Sequence, residues 1–272
     1  MPHYLAGSGQ FADVANTQIV LDQPGQALVR ASILQYRPVN TDVLPTFVMF
    51  HLLFAPLLWL LFKAPNLTLA SSFIVYLLVQ IYGWNLPEWP RNDWYFNPLA
   101  WQLLVVLGAW WARGGNKHLW PLITTRAATT FAMMYVLFSL FVTLSWDFKA
   151  LESLIPQPLA QLMYPVNKPD LDPLRLLHFL ALALLAARFI RPDWRALTRP
   201  GMRAAIRCGE NSLEVYCIGV ILVLGGQMLL EYVSRGIAMQ IIVSVGGVLI
   251  LIAFATFMTW VRINSRQQPK LF

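Results

Sequence analysis

Across 25 consecutive positions, from Ile237 to Val261, the chain carries no charged side chain. A segment of that length suits the hydrocarbon of a lipid bilayer, where about 20 apolar residues in a helix cover a core of roughly 30 Å. In that medium the backbone N–H and C=O groups find no water, so the segment must satisfy them internally, as a helix does. Whatever this chain folds into, it is built around helices that cross a membrane.

Six further apolar runs read the same way, at about 43–62, 67–84, 95–112, 127–146, 172–190 and 210–230, which makes seven spans. Only 12% of the residues are charged and 57% are hydrophobic, against roughly a quarter charged in soluble domains. The expected fold class is all-α, a polytopic membrane protein. Residues 1–42 precede the membrane domain, 43–262 form it, and 263–272 are a tail. Prolines at 45, 56, 98 and 173 fall near helix starts or mark kinks.

Loop charge orients the spans. The 188–207 loop holds Arg188, Arg191, Arg195, Arg199, Arg203 and Arg207 against a single acid, Asp193, and is expected to be cytoplasmic. The 113–126 loop, with Arg113, Lys117 and Arg126, and the tail after Val261 belong to the same side. Loops of the opposite side are balanced or acidic, and Trp84, Trp89, Trp94 and Tyr95 crowd one of them, as interfacial aromatic rings do. The C-terminus is then inside and residues 1–42 outside, although those residues contain no signal peptide. A net charge of +7 gathered in such loops is a topology signal; no nucleic-acid motif accompanies it. Cys208 and Cys217, nine residues apart, are read as packing residues of one helix, and no Cys/His spacing fits a metal.

Four stretches go further. They are LQYRPVNTDVLPTF (34–47), FNPLAWQLLVVLGAWW (96–111), DPLRLLHFLALA (172–183) and CGENSLEVYCIGV (208–220). Together they resemble the OpgC-type membrane acyltransferases, in order and from about residue 20 to the last helix. The resemblance implies a multi-pass protein of the bacterial inner membrane that adds succinyl groups to osmoregulated periplasmic glucans. It further implies succinyl-CoA, or a similar acyl-CoA, as a donor substrate with no bound cofactor, and the lipid bilayer and the glucan as partners. Members of that family carry about three more N-terminal spans, the first with a basic residue and a histidine associated with acyl transfer. Here His3 sits in a polar stretch and matches no such motif, so the chain is expected to correspond to the last seven of ten spans.

Ionisable groups within a span point by default to function or to a specific pairing. His51 lies eight residues past Val43, about 12 Å along a helix. It is either a neutral histidine bonded to a neighbouring helix or a proton acceptor. Asp172, Arg175 and His178 recur every third residue on one broad face. Asp172 before Pro173 is a natural N-cap, while Arg175 either snorkels or grips a succinyl carboxylate in bidentate fashion. His178 is the second candidate general base. Arg37, Asn40, Asp42, Asn97 and Gln102 reach the same leaflet and are candidate substrate contacts, with capping as the plainer role of Asp42 and Asn97. On the other side Arg195, Arg199, Arg203 and Arg207 are candidate donor-binding residues, because guanidinium matches phosphate geometry; anchoring to anionic lipid is the alternative. Ser212 is a candidate cap and Glu214 a partner for an arginine of the preceding loop. A transporter would favour polar residues at mid-bilayer and internal repeats, whereas here the polar residues gather at helix ends and no repeat is detected. A non-catalytic remnant or accessory subunit, or a small-solute transporter, stays open.

Overall fold

The computed structural model describes residues 18–38, 41–89, 93–145, 167–190 and 193–267; Asn40 lies outside them. Every regular element among these residues is helical. Contacts divide the chain into two units, residues 1–190 and 191–272.

In the first unit, α1 (Gln18–Asp22) and α2 (Pro24–Ser32) precede the long helices α3 (Val43–Lys63) and α4 (Pro65–Tyr82). Next come α5 (Pro98–Trp110), a kinked turn at Trp111–Gly115, α6 (Asn116–Ile123), α7 (Arg126–Ser145) and α8 (Pro173–Phe189). Prolines open α4, α5 and α8 at their first turns, where the missing N–H costs nothing and the fixed φ suits a helix. α5 runs alongside α4, α3 touches both, and α7 pairs with α8. The chain leaves α5 through Gly114 at φ 112°, and Gly115 lies so close under the Trp110 indole that a Cβ there would meet it at 2.3 Å. Only glycine satisfies either demand.

Without water to expel, membrane helices associate through packing and hydrogen bonds. α4 and α5 show this. Ser72 Oγ donates to Gln102 Oε1 at 2.6 Å and Gln102 Nε2 returns to the Ser72 carbonyl at 2.8 Å. Around this pair Tyr76, Val79, Ala100, Leu103 and Leu171 form the buried core.

The second unit holds α9 (Pro200–Glu210), preceded by a 3-10 turn at Arg195–Thr198, then α10 (Ser212–Tyr232) and α11 (Ile237–Gln267). Both α9 and α10 pack on α11, and α10 comes close at Gly226, where a Cβ would stand 2.8 Å from Val243.

Among the described residues, five helices are long and apolar enough to cross a membrane: Val43–Lys63, Pro65–Tyr82, Arg126–Ser145, Ser212–Tyr232 and, within α11, Ile237–Asn264. Their outer faces are apolar: Leu52, Leu137, Ile221 and Ile242 are each more than 60% exposed. The remaining two runs expected as spans form shorter helices. α5 has 13 residues and α8 has 17, or about 20 and 26 Å of rise. The shortening has local causes. Prolines 98 and 173 fix the starts, Gly114 breaks the first helix, and Ile190 leaves the second in extended geometry. Nor do the cysteines share a helix: Cys208 is in α9 and Cys217 in α10, separated by a break at Asn211, and both are free.

Candidate functional site

The polar residues singled out in the first unit gather at its tryptophan-rich end, where they fall into a junction and a cavity. The junction is built on buried charge. Arg37 is 4% exposed; its Nη2 donates to Glu88 Oε2 at 2.7 Å, and its Nε makes an ion-pair approach to Asp42 Oδ1 at 2.8 Å. Asp42 therefore serves Arg37 and makes no side-chain cap to α3. The Trp89 N–H donates to the Gln35 carbonyl at 2.8 Å, and Tyr36 meets Trp89 edge to face. Burial holds the Tyr36 hydroxyl above the usual phenol range.

Asn97 lies a few residues further along and is fully buried. Its Oδ1 accepts the Leu99 N–H at 3.0 Å, which caps α5 and fixes the amide orientation. Its Nδ2 is then free to donate to the Trp84 carbonyl at 2.6 Å and to Asp170 Oδ1 at 2.8 Å. The short segment 169–171 receives more. Trp101 Nε1 donates to the Pro169 carbonyl at 3.0 Å, Gln80 Nε2 to that of Asp170 at 2.6 Å, and the Tyr76 hydroxyl to that of Leu171 at 2.9 Å. Leu171 holds φ 52° in the left-handed region, a strain that persists only where the surroundings over-determine it. Asp172 then caps α8 by accepting the Leu174 N–H at 2.8 Å.

The cavity lies beside this junction and encloses about 360 Å³. Trp101 and Leu104 of α5, Tyr135, Ser139 and Thr143 of α7, and Arg175, His178 and Leu182 of α8 line it. Tyr135 stands 6.4 Å from His178 between ring centroids, and its hydroxyl donates to the Leu174 carbonyl at 2.8 Å. Arg175 and His178 are one turn apart on α8. Arg175 Nε and His178 Nδ1 are sealed from solvent, and neither has a hydrogen-bond partner among the described residues. Buried polar groups normally have partners, and one without costs about 1–3 kcal/mol. Two residues that line this cavity thus each hold a buried nitrogen with bonding capacity to spare.

The other histidine is placed differently. His51 is exposed on α3 and its Nδ1 lies 2.7 Å from the Phe47 carbonyl of the same helix. Gln102 is spent on Ser72, and Arg37, Asp42, Asn97 and Asp172 on the bonds described above.

A family model described as OpgC protein matches residues 2–263. The chain belongs to the OpgC protein family. No curated protein and no solved structure matches it.

The second unit of this OpgC chain carries the arginines expected to meet a donor. Arg195, Arg199 and Arg203 are exposed and Arg207 is half-buried. Arg203 Nε donates to the Thr198 carbonyl at 2.9 Å and Arg207 Nη1 reaches Thr256 Oγ1 at 3.4 Å. Glu214 pairs with Arg262 of α11 at 3.7 Å rather than with the preceding loop. Asn211, where α9 gives way to α10, is 1% exposed. Its Nδ2 donates to the Arg207 carbonyl at 2.8 Å and to Thr259 Oγ1 at 3.1 Å, which ties the break to α11. Ser212 makes no cap; Asn211 holds that position with its side chain engaged elsewhere.

Sequence reasoning missed Glu88, Asp170, Tyr76, Gln80, Tyr135 and Asn211. A buried Asn at a helix break has a local signal in the ENS tripeptide. Glu88 has none, because its partner is 51 residues away.

Proposed function

We propose that this chain is the membrane part of an acyltransferase which moves a succinyl group from a cytoplasmic acyl-CoA-type donor to a periplasmic glucan. Membership of the OpgC family and the five long apolar helices support the membrane acyltransferase class. One observation carries the chemistry, namely that Arg175 and His178 line one cavity and each holds a buried nitrogen without a partner among the described residues.

In this reading α5 and α8 complete the count to seven spans, and loop charge sets the tryptophan-rich end in the periplasm of a bacterial inner membrane. The Arg175 guanidinium holds the free carboxylate of the succinyl group as a charge-assisted pair. His178 takes the proton from a glucan hydroxyl as its oxygen attacks the thioester carbonyl. The carbon–sulfur bond breaks, the ester forms, and the departing thiolate receives a proton. Arg195, Arg199, Arg203 and Arg207 are assigned to the donor phosphates on their chemistry. Arg37, Asp42, Asn97 and Asp172 shape the rim through the junction they build.

The test is a mass spectrum of periplasmic glucans from a strain lacking this locus, complemented with this chain or its variants. Succinyl adducts are expected with the native chain. They should fall about 100-fold or more with His178→Gln, the scale of a lost general base. Arg175→Lys should lower succinyl transfer and spare transfer of an acyl group without a carboxylate. Full adduct levels with His178→Gln, while the protein stays in the membrane, would overturn the assignment.

A further inference from the structure

A second cleft lies on the other flank of α8. It encloses about 600 Å³ and is walled by Leu69 and Phe73 of α4, Leu107 of α5 and Leu180 of α8, a volume within the range of ligand pockets. Its lining is apolar except for Asn66 and Trp110, and Trp110 Nε1 donates to Asn66 Oδ1 at 2.9 Å. The other eight residues of the lining are Leu, Ala or Phe, so a polar ligand would find few partners there. Hydrocarbon is the chemistry that fits. From Asn66 to Phe73 the wall rises about 10 Å, most of the roughly 15 Å that one leaflet of hydrocarbon spans.

Charge at the Asn66 end identifies the rest of the occupant. Lys63 ends α3 three residues before Asn66, and Lys117 lies two residues before Leu119, which also lines the cleft. Arg113 is anchored here as well, donating from Nε to the Leu61 carbonyl at 3.1 Å over the Phe62 ring. No acidic residue occurs in 43–87 or in 94–146. Lys63 holds its ammonium 4.1 Å over the Trp59 ring, one turn back on α3. A cleft that takes a chain, with basic residues two or three positions from its lining at one end, matches one molecule abundant in a membrane. We infer that it is a binding site for one acyl chain of an anionic phospholipid, whose headgroup lies against Lys63 and Lys117.

The experiment uses the full chain, purified in mild detergent and exposed to vesicles of phosphatidylglycerol or of phosphatidylethanolamine with identical chains. Native mass spectrometry counts the lipid retained. One phosphatidylglycerol per chain is expected, bound at least tenfold more tightly than phosphatidylethanolamine. Ala70→Phe, which fills the cleft, should abolish retention. The pair Lys63→Gln with Lys117→Gln leaves the cleft intact and should weaken phosphatidylglycerol about 30-fold, as two surface cations are worth, without changing phosphatidylethanolamine. Equal retention of the two lipids, no retained lipid, or retention unchanged in both the filled and the neutralised variants would each overturn the inference.

Discussion

Replacing Asn97 tests whether the junction at the tryptophan-rich end holds the first unit together. Asn97→Ala removes the α5 cap, worth about 1 kcal/mol, and leaves the Trp84 carbonyl and Asp170 Oδ1 without their donor, at about 1 kcal/mol or more each. The loss is about 3 kcal/mol, which for a chain of this size lowers the melting midpoint by about 6–12 °C. Asn97→Asp is the sharper probe. It keeps the capping oxygen but sets a carboxylate where the donor stood 2.8 Å from Asp170 Oδ1. Two charges at that distance repel by about 6 kcal/mol at an effective dielectric of about 20. Neutralising an ordinary aspartate at pH 7 costs only about 4 kcal/mol, so the folded variant takes up a proton instead. The folded state then holds one proton that the unfolded chain lacks, and stability falls as pH rises. The Trp84 carbonyl, which one O–H cannot serve as well, adds about 1 kcal/mol. The variant should be about 5 kcal/mol less stable than the native chain at pH 7 and about 2.5 kcal/mol less at pH 5, a slope of about 1.4 kcal/mol per pH unit. Thermal unfolding in detergent, followed by size-exclusion fluorescence across pH 5–8, measures both. A native-like midpoint for Asn97→Ala, or a pH-independent deficit for Asn97→Asp, would refute this account.

Arg37→Met should cost about 3–5 kcal/mol, because it strands the Glu88 and Asp42 carboxylates. Adding Glu88→Met and Asp42→Leu should recover most of that in the same melting assay. With both native cysteines replaced by serine, a cysteine at Lys168 should label with an impermeant thiol reagent in intact spheroplasts. One at Arg195 should label only after lysis; the reverse pattern would invert the proposed orientation. Ser72→Ala should lower the melting midpoint less than Gln102→Leu, since Gln102 also bonds the Ser72 main chain.

What could be read from the sequence was local chemistry. Asn97 and Asp172 cap α5 and α8 because each stands just before a proline-initiated helix, a relation confined to three residues. The long helices were legible because hydropathy over 20 residues sums many small terms in one direction. Lengths near the limit were not, since hydropathy counts side chains while α5 ends on a backbone angle at Gly114. Partnerships were legible only within a few residues. Arg37 was visible, but its choice of Glu88 is a tertiary event. His51 shows the converse: a bond expected across helices runs to its own helix four residues back. The Arg175 and His178 pair was legible as a spacing, and the structure adds that they share a cavity with Tyr135 of another helix.

The segment 169–171 is gripped in large part by its backbone: Trp101, Gln80 and Tyr76 all take main-chain carbonyls, while Asp170 also lends its side chain to Asn97 and Leu171 packs in the core. A receptor that reads carbonyls is indifferent to the side chains attached to them. In a saturation scan of this OpgC chain, the penalty should therefore fall on the readers, on Asp170 and on Leu171, and hardly on Pro169. Pro169 should accept most residues that keep its path, while Tyr76, Gln80 and Trp101 tolerate few. An insertion or deletion of one residue there would shift every carbonyl out of reach at once. At Pro169, length more than identity is what the segment encodes.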